Sequence, residues 1–207
     1  MALYDHIAAC NKHSFDGRLP FGIGGVQAGW VREDLAARMT RWGDYFKVTD
    51  KGVDILESLA DVEARSKALA EAGAALVVQQ ALPRNRKELC PVMERFGGEM
   101  LMRIDRAWLE PFAVKSYGVH VNGYVPGPDG PELWIGVRSK SREVAPGKLD
   151  NMVAGGLPVG IGLLENVVKE AGEEASVPEE IARTARPAGV VTYTLDTQAG
   201  MRRDMLF

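Results

Sequence analysis

The chain has 207 residues, 46% hydrophobic and 26% charged, with a formal net charge of −3. That length suits one large or two small domains, and the composition is that of an ordinary soluble globular protein. A mildly acidic balance argues against a general nucleic-acid binder, yet a local basic patch still suffices for a small anionic ligand. In chain order, residues 3–13 suit a first helix with Leu3, Ile7, Ala8 and Cys10 on its apolar side. A turn over 15–20 leads to residues 21–31, which are rich in Gly, Val and Ile and read as one strand with close backbone packing. Arg32-Glu33-Asp34 opens a helix that runs through Trp42. Residues 46–56 read as a hairpin turning at Thr49-Asp50-Lys51-Gly52. Residues 62–78 are helical by composition, with an interruption expected at Gly73. Pro83-Arg84-Asn85-Arg86 breaks the chain.

A further helix or turn is expected near Val92, then an apolar segment over 100–104, then a boundary near Leu109-Glu110-Pro111. Residues 116–125 alternate as a strand, the dense turn cluster over 126–131 follows, and 133–138 return as a second strand. A helix carrying Lys169 to Glu174 follows a glycine-rich loop and ends at Ser176-Val177-Pro178, Glu179 to Arg183 extend a short helix after Pro178, and strands are expected over 190–195 and from Arg202 onward. The two cysteines, Cys10 and Cys90, are isolated and read as reduced thiols. With no charged-then-apolar leader and no apolar run of membrane length, the expectation is a cytoplasmic protein without a membrane partner.

The chemistry concentrates at Lys169-Glu170-Ala171-Gly172-Glu173-Glu174. Residues three and four apart share a helix face, so Glu170, Glu173 and Glu174 point the same way. Three carboxylates together repel one another unless a positive charge sits among them, and a hard divalent cation with oxygen ligands suits that place. Ahead of the cluster stand Gly155-Gly156, Gly160 and Gly162. A glycine-rich loop followed by a carboxylate-bearing helix is a layout for holding Mg²⁺ against a phosphate-bearing substrate. The bland alternatives are a solvated Glu-rich face, surface charge at Arg138, Lys140 and Lys148, a core or strand role for His120, and core roles for Trp30, Trp42, Trp108 and Trp134.

Residues 155–177 resemble the Nudix box. Gly155 falls on its opening glycine, Lys169 on its arginine, Glu170 on the glutamate that follows, and Glu173-Glu174 on its glutamate pair. Three positions depart from the pattern: Ile161 stands at the loop glutamate, Lys169 replaces arginine, and Ser176 replaces the late glycine. Residues 19–32, 86–91, 117–124, 133–140 and 146–156 are similar to the thiamine-pyrophosphokinase-related domain that precedes some Nudix domains. The resemblance implies an α+β protein. A mixed α/β N-terminal domain over 1–110 would precede a Nudix α/β/α sandwich over 111–207, truncated on its C-terminal side because the chain stops in an apolar run.

The resemblance further implies Mg²⁺-dependent hydrolysis, with Mn²⁺ as a substitute, of a small organic diphosphate to the monophosphate. Thiamine diphosphate and its damaged oxo and oxy analogues lead the candidates. Glu170, Glu173, Glu174 and the Gly155 carbonyl would hold the metal. Glu173 or Glu174 would serve as base, Lys169 would orient the carboxylates, and Arg138 and Lys140 would bind substrate phosphate. A homodimer is compatible with this reading, and no nucleic-acid partner is implied. The competing reading is a non-catalytic diphosphate-binding or regulatory module. A prenyl-diphosphate isomerase fits less well, because neither Cys10 nor Cys90 lies in the Nudix part.

Overall fold

A computed structural model describes residues 2–141 and 145–207. It divides into two compact units: residues 1–116 with 192–205, and residues 117–191 with 206–207. The change of unit thus falls between Ser116 and Tyr117. Both units mix strands with few helices, as an α+β chain does.

In the first unit, helix α1 (Leu3–Cys10) buries none of its residues. Leu3 and Ile7 are exposed, so the apolar side read from the sequence is not a core face. The glycine-rich segment forms two strands instead of one, β1 (Arg18–Ile23) and β2 (Val26–Arg32). Gly24 and Gly25, at φ 59° and 80°, turn the chain between them. Two consecutive positive φ values are what a tight hairpin needs and what side chains resist, so the glycines act here as a turn. Helix α2 (Glu33–Met39) continues as a single tight turn through Trp42. The next hairpin is β3 (Phe46–Thr49) and β4 (Gly52–Ile55), as its sequence predicts. These strands make one sheet in the order β2-β1-β4-β3, with β1 and β4 parallel and the other pairs antiparallel.

Helix α3 (Val62–Val78) opens on Asp61, whose carboxylate accepts from the Ala64 N–H at 2.7 Å. Such a cap satisfies a helix-end donor that otherwise has no partner. The helix runs through Gly73 without interruption. A Cβ at that position would lie 2.3 Å from the Trp108 ring, so the glycine is there for packing. Residues 89–93 are β5 (Leu89–Met93), antiparallel to β6 (Met100–Asp105), where a helix or turn was the expectation. Buried Val92, Met102 and Ile104 explain the difference, since alternate positions of a hairpin face the core. Residues 109–114 form a turn whose Phe112, Ala113 and Val114 are buried. The core gathers Phe21, Met39, Leu69, Leu76, Trp108 and Phe112, with Phe21 and Phe112 edge to face at 5.1 Å.

The second unit begins in β7 (Lys115–Val121), followed by the hairpin β8 (Tyr124–Gly127) and β9 (Gly130–Leu133). Short β10 (Gly136–Val137) pairs with β11 (Leu149–Asp150). Strand β12 (Val153–Gly156) runs antiparallel to β7, with Gly155 opposite Val119. Helix α4 (Leu163–Ala175) and short α5 (Glu179–Ala182) complete it, and Val153, Ala171 and Ala182 form its apolar nucleus. The chain then returns to the first unit through β13 (Val191–Asp196) and β14 (Met201–Leu206), neighbours in one sheet. The expected strand over 116–125 is divided between β7 and β8, β9 begins within the expected turn cluster, and only Leu133 and Gly136–Val137 of the expected strand 133–138 are strand. Gly155 and Gly156, read from the sequence as loop, end strand β12, and the loop and helix follow in the expected order. Among the described residues, no helix is long and apolar enough to cross a membrane.

Candidate functional site

Helix α4 sets Glu170 and Glu174 against strand β12, and both of its ends are defined. Gly162 is the N-cap, in extended conformation, and Glu165 in the first turn complements the positive end of the helix dipole. At the other end Ser176 sits in the left-handed region at φ 52°, ψ 31°. The Val177 N–H reaches back to the Ala171 carbonyl at 3.1 Å. This is the position where helices usually place glycine, so the serine there is a strained terminator, not a break in the motif.

Three successive residues of β12 are gripped by three residues of α4 spaced four apart. Glu174 Oε2 accepts from the Ala154 N–H at 3.0 Å. Glu170 lies over Gly155, and a Cβ on Gly155 would stand 2.2 Å from the Glu170 Cδ. Asn166 Nδ2 donates to the Gly156 carbonyl at 3.1 Å. A four-residue spacing keeps all three side chains on one helix face. Glycine at 155 is therefore required by close approach: any side chain would push Glu170 away. Glu170 is 9% exposed and Asn166 fully buried.

The positive charge that three carboxylates call for is supplied by Lys169. Its Nζ donates to Glu170 Oε1 at 3.0 Å and to Glu173 Oε2 at 3.1 Å. The hydrogen bond that Lys169 donates to the Glu170 carboxylate raises its pKa, burial opposes this in part, and the bond to Glu173 adds to the rise. Lys169 therefore stays charged at neutral pH and ties Glu170 to Glu173, while Glu174 turns to the strand. Among the described residues, no group of three His, Cys, Asp or Glu side chains is arranged to hold a metal ion. The donors the site would offer a hard cation are the Glu170 and Glu173 carboxylates, and the Lys169 ammonium is bonded to both. The donor chemistry, carboxylate oxygens over a glycine strand, fits Mg²⁺ or Mn²⁺.

Arg138, at the end of β10, pairs through Nη1 with Asp150 Oδ2 at 2.6 Å. The other Asp150 oxygen accepts from the Asn151 N–H. Asp150 was not singled out from the sequence, and the antiparallel β10–β11 pairing is what brings it to Arg138. Lys140 and Lys148 are exposed. Ile161 is half-buried in the loop between β12 and α4. His120 is on strand β7 but exposed, not in a core. Of the tryptophans, Trp108 is buried, Trp30 and Trp42 are half-buried, and Trp134 is 61% exposed and so is not a core residue. Cys10 is exposed, whereas Cys90 is buried, and that burial pushes its thiol up to about 12. Sequence reasoning also missed Asn166. Its spacing of four before Glu170 was the available signal.

A family model described as "Domain of unknown function (DUF4743)" matches residues 2–116. Nudix hydrolase 24, chloroplastic, of Arabidopsis thaliana is 37% identical over 191 residues, 91% of this chain and 52% of that protein. Nudix hydrolase 20, chloroplastic, of the same plant is 34% identical over 215 residues, 99% of this chain and 58% of that protein. An uncharacterized protein of Saccharomyces cerevisiae is 36% identical over 93 residues, 44% of this chain and 27% of that protein. The chain spans about half the length of the two plant relatives.

Proposed function

The chain belongs to the DUF4743 family, and on that premise, with named Nudix hydrolases among its relatives, we propose that it is part of a Mg²⁺-dependent Nudix pyrophosphohydrolase. The substrate in this reading is an organic diphosphate, with thiamine diphosphate or its damaged oxo and oxy analogues as the leading class. Water attacks a phosphorus, the bridging P–O bond breaks, and the monophosphate and phosphate leave. The second unit is then the front of a Nudix α/β/α sandwich. The single observation that carries this is the Lys169-bridged pair Glu170 and Glu173 on α4, with Glu170 lying over Gly155.

A divalent cation, when bound, neutralises phosphate oxygens and lowers the pKa of water. The chain's own residues divide the remaining work. Glu170, buried over the glycine strand, and exposed Glu173 supply carboxylate oxygens, and Glu174 anchors the helix through Ala154. That anchoring makes Glu173 the better candidate for the base. Lys169 orients the pair. Arg138, steadied by Asp150, and exposed Lys140 are the proposed phosphate contacts.

The second reading, a non-catalytic diphosphate-binding module, is favoured by Ile161 in the loop. It is also favoured by Lys169, whose ammonium already pairs with both Glu170 and Glu173. Phosphate release from thiamine diphosphate and other organic diphosphates, with and without Mg²⁺, separates the two readings. Hydrolysis that needs the metal and falls about 10²–10⁴-fold in Glu173→Gln is expected for the enzyme with this base. Binding of the diphosphate without turnover would support the module, and turnover untouched by Glu173→Gln would remove Glu173 from the mechanism.

A further inference from the structure

The buried amide of Asn166 is satisfied at one end only. Its Nδ2 donates to the Gly156 carbonyl, but Oδ1 is buried and has no hydrogen-bond partner. A buried acceptor left unmatched lowers stability, and native proteins keep such groups rarely and for a reason. An apolar side chain here would avoid that cost at the expense of one hydrogen bond. Asn166 also stands one turn before Glu170 on the same face of α4, and Glu170 is itself almost fully buried. An acceptor without a donor thus accompanies a carboxylate that a hard cation would choose. Mg²⁺ gives up its waters reluctantly and usually keeps several, and every such water is a strong donor.

We infer that Asn166 is a positioning residue of the proposed cation site, its amide oxygen accepting from the hydration shell of a divalent cation held by Glu170 while its amide nitrogen fixes strand β12 at Gly156. This rests on the metal-site part of the proposed function. It also gives the loop a polar tether of its own. The glutamate position of the box is apolar Ile161, and Asn166, from within the helix, joins α4 to the Gly156 end of the strand next to that loop. Groups that orient a metal site from behind its ligands commonly change metal affinity about 10–100-fold when removed.

The test is Mn²⁺ binding to the full chain, followed by the electron paramagnetic resonance of free Mn²⁺, for the unmodified protein, Asn166→Leu and Asn166→Asp. Both substitutions remove the bond to Gly156, but only the aspartate keeps an acceptor oxygen. Asn166→Leu should weaken Mn²⁺ binding about tenfold or more, while Asn166→Asp should stay within about threefold of the unmodified protein. Equal weakening in the two variants would mean that the amide acts as a clamp alone, and would overturn the proposal. Unchanged affinity in Asn166→Leu would assign Oδ1 to an ordinary buried water and overturn it as well. Thermal melting in metal-free buffer checks that each variant is folded. If Asn166→Leu is not, Asn166→Ala takes its place. If the unmodified protein binds no Mn²⁺, this inference and the metal-site reading fail together. If it binds Mn²⁺ with the expected order of variants but hydrolyses no diphosphate, only the hydrolase reading fails.

Discussion

The two compact units bury their elements by different means. In the first, helix α3 and the hairpins close around large apolar side chains, among them Phe21, Met39, Leu69, Leu76, Trp108 and Phe112. In the second, the apolar nucleus is the smaller set Val153, Ala171 and Ala182, and helix α4 is also tied to β12 by the hydrogen bonds of Glu174 and Asn166, with Glu170 close over Gly155. Apolar burial is worth about 25 cal/mol per Å² and asks little of orientation, so the first unit supplies a stable body. Polar fastening adds less net stability, about 0.5–1.5 kcal/mol per hydrogen bond, but it fixes direction. A helix whose carboxylates must face one place benefits from the second kind of attachment.

Substitutions at one close-approach glycine in each unit separate these roles. Gly155→Ala should have the largest effect, because the new Cβ would collide with Glu170. Divalent-metal affinity should fall about 10–100-fold, as for the loss of an orienting contact, measurable by titration with Mn²⁺. Gly73→Ala drives a Cβ into the Trp108 ring and should destabilise the first unit by about 1–3 kcal/mol in urea unfolding, with the Mn²⁺ affinity of the folded protein unchanged. If Gly73→Ala weakened metal binding as much as Gly155→Ala, the division of labour between the units would be wrong. The smallest effect belongs to Ser176→Gly. Relieving a left-handed serine at the end of α4 should stabilise the protein by about 0.5–1 kcal/mol, since such a residue costs roughly 1–2 kcal/mol and glycine returns part of the gain as chain entropy.

The parts of the fold legible in the sequence were those with a local cause. The turn at Thr49–Gly52, the helix over 62–78 and the helix stop before Pro178 follow from neighbouring residues, and each is present. The misreadings were long-range. Gly73 signals an interruption only to a reader who cannot see Trp108 packed on it. The strand over 89–93 becomes a strand through its partner 100–105, not through its own composition. The apolar stripe of α1 carried no information about burial. At the site, four-residue periodicity placed the glutamates on one helix correctly. The same local spacing pairs Lys169 with Glu173. It did not show that Glu174 would turn to the Ala154 N–H, a contact between helix and strand that only tertiary packing sets.

The central claim, that Glu170 and Glu173 on α4 form a divalent-cation site, is tested most directly by Mn²⁺ binding to the unmodified protein and to Glu170→Gln. The substitution keeps the size of the side chain over Gly155 and removes its charge. Saturable Mn²⁺ binding that weakens at least about tenfold in Glu170→Gln, as for loss of a carboxylate that a hard cation selects, is the predicted result. Equal binding by the two proteins, or none by the unmodified one, would contradict it.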